Sequence, residues 1–213
     1  MVAKLEGGCL VADFGEAELR GDKVSLRVID VDGASTFLNE SAEEVIYVIR
    51  GSGTANDERV AADSAIYLPP KVTLELEGKM TLVSTVCGAD IPVCPEPGQT
   101  GMSGPHITSL NDKPLQRTGD RAYRELIQQQ VTQFVGTIPP GRAPDHHHLY
   151  EEVICILDGE GVMWAGETST PIATGSCIYL PRKQTHCIEN KGSGDLKLLG
   201  VFYPAGSPAA RYT

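Results

Sequence analysis

Short apolar runs separated by turn residues fill this chain, and few of them have helical spacing. Residues 23–31, 44–49, 64–68, 73–76 and 81–86 are rich in β-branched side chains and bounded by Gly, Pro, Asn or Asp, the pattern of strands in an all-β domain. A second set follows at 131–138, 153–157, 161–164, 176–180, 186–189 and 196–203. Residues 122–130 are the best helical candidate, although they could equally be strand, since 131 onward is one. Between the sets, residues 88–120 are rich in Pro, Gly and polar side chains and predict a linker or extended arm. His106, behind Pro105, falls in that loop and is not counted as a ligand. Residues 204–208, with Pro at both ends, predict an irregular tail.

The two sets are copies of one pattern. Glu43-Glu44-Val45-Ile46, closed by Gly51-Ser52-Gly53, returns as Glu151-Glu152-Val153-Ile154, closed by Gly159-Glu160-Gly161. Ser64-Ala65-Ile66-Tyr67-Leu68-Pro69 returns as Ser176-Cys177-Ile178-Tyr179-Leu180-Pro181. A repeat of about a hundred residues is a duplicated domain, too long for a solenoid unit. The 213 residues therefore predict two domains, 1–105 with the linker and 106–213.

Histidine separates the copies. The second carries His146, His147 and His148 before its Glu pair and His186 after its Pro; the first has Leu38, Glu40 and Leu74 at the corresponding places. On a strand, His146 and His148 project from one face because the side-chain period is two. Glu152 opens the next antiparallel strand, with Ile154 and Ile156 continuing the inward face, and His186 starts a strand of another hairpin. Three imidazoles and one carboxylate then converge. Such a set suits a divalent transition metal: Fe, Mn, Ni, Co or Cu, with Zn as a further candidate. His147 alternates to the other face.

Further site candidates come from neighbours of this cluster. Gln133, on the preceding strand, and Tyr150, between the ligands, are assigned catalytic roles beside Glu152, which as a carboxylate is the ligand best able to loosen and take a proton. Arg142 and Arg182 lie in loops that would rim a barrel mouth, where solvated arginine is the commoner outcome. Tyr67 and Tyr179 recur at matching positions, which favours a structural role. Cys187 adjoins His186 but faces the opposite way, so a Cys–His nucleophile is rejected.

The stretch running from Gly141 through His146, His148 and Glu152 to Gly159 resembles the first cupin motif, and that from Gly175 through Pro181 and His186 to Asn190 resembles the second. The leading Gly stands one residue closer to the first His than is common, and Lys183 replaces a usual Gly. The resemblance implies an all-β fold of two tandem cupin-type antiparallel β-barrels, or jelly rolls. The first is degenerate and keeps only Glu44; the second is metal-binding. It also implies a homodimer. It does not imply one reaction, because cupins include dioxygenases, decarboxylases, isomerases, lyases and non-enzymatic binders.

Bulk properties narrow the partners. A net charge of -10 argues against nucleic-acid binding and against adhesion to an anionic membrane. No apolar run approaches the roughly twenty residues that span a bilayer, and the N-terminus does not resemble a secretion signal. Of the six cysteines, Cys9, Cys155, Cys177 and Cys187 sit in or beside strand-like runs as small hydrophobes; Cys87 and Cys94 are the only local pair that could bridge or bind metal. A reduced cytoplasmic setting is expected. The leading expectation is a dioxygenase-type oxidoreductase acting on a small organic molecule. The alternatives are an oxygen-independent isomerase, lyase or decarboxylase, and a small-molecule binder that is not an enzyme.

Overall fold

Residues 45–48 and 153–156 are apolar at every position, where a half-buried strand would alternate. Both stretches are buried throughout, inside the strands Glu43–Ala55 and Glu151–Asp158. Ile46 and Val48 face a core with Ile66, Leu68, Leu74 and Leu82 inside the first half. Ile154 and Ile156 face the equivalent core of the second half with Phe134, Ile178 and Ile188. The intervening Val45, Tyr47, Val153 and Cys155 share a third core in which side chains of both halves meet. Each strand is thus sandwiched between its own interior and its neighbour.

The structure is a computed structural model that describes residues 2–15, 18–88, 104–119 and 121–210. It is all-β apart from two short 3-10 turns, every strand pairing is antiparallel, and the fold is of jelly-roll type. In the first half, three long strands, Val24–Phe37, Leu74–Cys87 and Glu43–Ala55, lie side by side and bend over their core, with Ser64–Leu68 next to them. In the second half an eight-stranded sheet, centred on Ser176–Leu180, Glu151–Asp158, Leu196–Tyr203 and Thr132–Ile138, faces a four-stranded sheet that contains His186–Asn190 and Glu160–Ala165.

Sheet membership crosses between the halves in both directions. Leu10–Asp13 extends the second half's sheet by pairing along Ser176–Leu180, and Ala3–Lys4 pairs in turn with Leu10–Asp13. His106–Ser109 pairs with Ser64–Leu68 of the first half. His106 therefore opens a strand rather than lying in a loop. The arm is also structured at Leu110–Asp112 and Gln116–Thr118, while Cys94 lies outside the described residues. The remaining five cysteines are free and buried.

Two other expectations are corrected. The helical candidate is a strand, Arg121–Gln128, whose long pairing with Thr132–Ile138 outweighs its local spacing. The apparent break between residues 76 and 81 is no break, because Leu74–Cys87 runs through it as one strand. Gly78 permits this: it has φ +145°, and a Cβ there would stand 2.5 Å from the Ser52 carbonyl oxygen. Among the described residues no helix is long and apolar enough to cross a membrane.

Candidate functional site

The histidines are brought together by a short backbone join rather than by a regular strand. Gly141–Arg142 pairs with the end of His186–Asn190, and an isolated bridge then links His146 to His186, with N–H to carbonyl distances of 3.1 and 2.9 Å. The amide of Lys183 donates to the His148 carbonyl at 2.7 Å. Lys183 has φ +61°, a left-handed conformation that glycine adopts without strain, which accounts for the Gly at this place in the resembling motif. Asn190 secures the far end, its amide donating to the Ile138 and Gly194 carbonyls at 2.8 Å each.

His146, His148 and His186 offer nitrogens that all lie within 4.8 Å of one another. Glu152, on the adjoining strand, places Oε2 at 3.4 Å from His148 Nε2 and 3.6 Å from His186 Nε2. Nδ1 of His146 lies 3.1 Å from the Pro144 carbonyl, and Nδ1 of His186 lies 2.8 Å from that of Gln184. A carbonyl only accepts, so Nδ1 carries the proton and Nε2 presents its lone pair to the centre. The His148 ring is stacked against Tyr150 at 4.9 Å, with the planes 11° apart.

The residues fit a metal. All four side chains are buried, and Glu152 Oε2 has no hydrogen-bond partner although two imidazole nitrogens lie 3.4 and 3.6 Å away. A buried polar atom left in this way costs about 1–3 kcal/mol. Burial raises the Glu152 carboxyl to about 8, Arg121 partly offsetting the shift, and pushes His186 down to about 3, with His146 adding to the effect. Without a cation, burial disfavours charge on both Glu152 and His186. Neighbouring ligands at about 2.1 Å from an ion lie about 3 Å apart; the Glu152 contacts of 3.4 and 3.6 Å are close to that, and the imidazole nitrogens, within 4.8 Å of one another, would draw together around an ion.

The cluster forms the floor of a cavity of about 80 Å³. Phe134, Ile138, Ile154, Ile188, Leu198 and Phe202 make its walls mostly apolar; Arg121 and Tyr123 line it from the strand Arg121–Gln128, and Pro208 of the tail stands at its edge. Arg121 stands just ahead of 122–130, the stretch that suits helix or strand; only as strand does period two put Arg121 and Tyr123 on one face.

The other site candidates lie elsewhere. Gln133 is fully buried but alternates with cavity-lining Phe134, and neither of its amide atoms has a hydrogen-bond partner. Tyr150 sits behind His148, its hydroxyl donating to the Ser207 carbonyl at 3.3 Å, so it braces a ligand instead of lining the cavity. Arg142 lies outside the small sheet, 4.4 Å over Trp164 and paired with Asp145; its Nε donates to Cys187 Sγ at 3.4 Å. Cys187 accordingly faces away from the histidines. Arg182 is exposed and does not line the cavity. Tyr67 and Tyr179 belong to the core shared by the halves.

Comparison with known proteins agrees with this geometry. Residues 134–202 match the family model described as cupin domain. An uncharacterized protein of Methanocaldococcus jannaschii is 40% identical over 78 residues, covering 37% of this chain and 62% of its own. Auxin-binding protein 1 of Arabidopsis thaliana is 32% identical over 116 residues, 46% of this chain and 59% of its own. An oxalate-binding protein of Thermotoga maritima is 37% identical over 67 residues, 30% of this chain and 55% of its own. The chain thus spans about three fifths of the length of these relatives. Among solved structures, Bacillus subtilis oxalate decarboxylase superposes with a TM-score of 0.70 at 13% identity, over 96% of this chain and 75% of that one. A glyoxylate-induced protein from Pseudomonas aeruginosa gives 0.70 at 13% identity, over 98% and 86%. At such identities the likeness concerns the fold. The stretch that matches the cupin domain model, residues 134–202, includes all three histidines.

Proposed function

We propose that this chain is a bicupin whose C-terminal barrel, within 106–213, holds one divalent transition metal on His146, His148, Glu152 and His186. We read it as a dioxygenase-type oxidoreductase acting on a small organic molecule. The observation that carries the metal is Glu152 Oε2, buried without a hydrogen bond and faced by two imidazole nitrogens. When bound, the ion supplies a Lewis-acid and redox centre with coordination positions to spare.

The chain's own residues do the rest. The carbonyls of Pro144 and Gln184 hold the His146 and His186 rings in one tautomer. The Tyr150 ring and the backbone of Lys183 fix His148. The Ile and Phe walls exclude water from the reacting atoms. Glu152 is the only carboxylate among the described residues that line the cavity, and its burial makes it a competent proton acceptor near neutral pH whenever it leaves the ion.

A second reading, a binder that performs no reaction, is supported by the names of two relatives, one auxin-binding and one oxalate-binding. Elemental analysis of untagged protein beside a His148→Ala control tests the metal, and oxygen uptake with a panel of small organic acids tests the reaction. A redox-active ion lost in the control, with substrate-dependent oxygen consumption, supports the enzyme. A retained ion with saturable binding but no turnover supports the binder. The homodimer stays part of the proposal, and sedimentation of the purified chain checks it.

A further inference from the structure

Among the described residues, one arginine or lysine, Arg121, lines the cavity, on a wall that is mostly apolar. Arg121 and Tyr123 line it from the same strand, Arg121–Gln128, opposite Thr137 and Ile138, and the Arg121 charge is felt by both Glu152 and His186 on the floor. A guanidinium there is unexpected in a chain of net charge -10. Surface charge repels anions from such a protein, so an anionic ligand needs a local cation at its destination. Apart from Tyr123, Thr137 and the floor, the lining is mainly apolar, with Ile138, Ile154, Ile188, Leu198 and the rings of Phe134 and Phe202.

We propose that Arg121 is the specificity-determining residue of this cavity. It anchors the carboxylate of a small monocarboxylate whose short apolar body lies against the isoleucine and phenylalanine walls. This rests on the cavity being the functional site proposed above. Arginine suits the task because its planar fork meets both oxygens of a carboxylate, which a single ammonium cannot do. Electrostatics agree: a divalent ion on three neutral imidazoles and one carboxylate keeps a net positive charge, to which Arg121 adds another, so the occupied floor favours an anion. Size agrees as well, since about 80 Å³ suits a molecule of several heavy atoms and no more.

Calorimetric titration with 3-methylbutanoate, acetate and 3-methylbutanamide tests the proposal on wild type, Arg121→Met and Arg121→Lys, each metal-free and loaded with cobalt. Circular dichroism and metal content are recorded for every sample. The expected result has four parts. Arg121→Met weakens 3-methylbutanoate by roughly tenfold to hundredfold, the scale of a charge-assisted pair. Arg121→Lys recovers part of that loss. Acetate binds more weakly than 3-methylbutanoate, and the amide is bound poorly and equally by wild type and Arg121→Met. Unchanged binding of 3-methylbutanoate by a folded Arg121→Met protein overturns the proposal while leaving the metal reading intact. Failure of every variant to take up cobalt, with Arg121-dependent carboxylate binding preserved, overturns the metal reading and leaves the anchor standing. Should Arg121→Met not fold, the acid-to-amide preference of metal-free wild type and Arg121→Lys decides, and no preference for the acid overturns it.

Discussion

Glu44 and Glu152 occupy the same place in the two halves, yet only one has its hydrogen bonds satisfied. Glu44 lies opposite Leu68 and Val86, and Glu152 opposite Leu180 and Phe202; both are buried. The Glu44 carboxylate accepts from Asn39 Nδ2 at 2.6 Å, from the Ser84 hydroxyl, and from Arg27 at 3.4 Å. The register identifies what the second half has in their place. Ser84 stands opposite Ile46 and Arg27, while Gly200 stands opposite Ile154 and Phe134. A hydroxyl has become a glycine and a guanidinium a phenyl ring. The ring also needs the glycine, since a Cβ on Gly200 would lie 2.3 Å from Phe134 Cζ. A metal site is made as much by withdrawing competing donors from the carboxylate as by adding histidines.

The widest contrast between the halves should appear on removing a ligand. His186→Ala or His148→Ala is expected to take the metal content from about one equivalent to near zero, because structural affinity depends on the full donor set. Glu44→Gln should leave it unchanged. Plasma mass spectrometry on untagged protein measures both, and a metal content that survives His186→Ala would sink the assigned site.

The pH response sharpens the same contrast. In the metal-free protein the Glu152 carboxyl titrates near 8 instead of in the usual carboxylate range. The folded state then keeps a proton that the unfolded state has lost, so stability falls as pH rises towards 8, by up to about 1.4 kcal/mol per pH unit for one proton. His186, held down to about 3, acts in the opposite sense and only below its unfolded value near 6.5, where falling pH costs stability. Between about 6.5 and 8 the slope belongs to Glu152, and Glu152→Gln should remove it in denaturant titrations. Metal loading near pH 7 should release about one proton from wild type and none from Glu152→Gln, as seen by calorimetry in buffers of different ionisation enthalpy.

Removing a donor from the satisfied glutamate should have a smaller, purely structural effect. Ser84→Ala takes the hydroxyl from Glu44 in a fully buried position and is expected to cost about 1–3 kcal/mol. The reverse exchange, Gly200→Ser, must displace the Phe134 ring and should cost about as much by overpacking. It should also lower metal affinity, whereas Ser84→Ala should not. Thermal melts and metal titrations separate the two.

Much of this was legible in the chain because the site lies where the repeat is most regular. Ile154 and Ile156 alternate inward as their period demands, and the ligand spacing survives although His146 is joined to His186 only by an isolated bridge. What escaped the sequence depends on partners far away in the chain. The strand Arg121–Gln128 has local spacing that also suits a helix, and only its pairing with Thr132–Ile138 decides the matter. With that strand went Arg121. The pairing of Leu10–Asp13 with the second half, and of His106–Ser109 with the first, is equally invisible locally, since an edge carries no signal of which sheet it will join.

Gln133 gives the smallest effect and a direct test of a residue whose catalytic role rested on strand proximity alone. It has no exposed surface, it alternates with cavity-lining Phe134, and it lies opposite Val201 of the shared core. Neither amide atom has a hydrogen-bond partner, so the folded state bears a desolvation cost without the compensating bond. Its counterparts on that face, Val131 and Val135, are apolar members of the shared core. Gln133→Leu removes the polar atoms and brings the branch one carbon closer to the backbone. It is expected to leave metal content, ligand binding and turnover unchanged and to be neutral or stabilising by up to about 1 kcal/mol in thermal or denaturant melts. A loss of turnover with stability intact would return Gln133 to the reaction. A loss of stability would mean that its amide holds the two halves together through a water or a movement of the sheets.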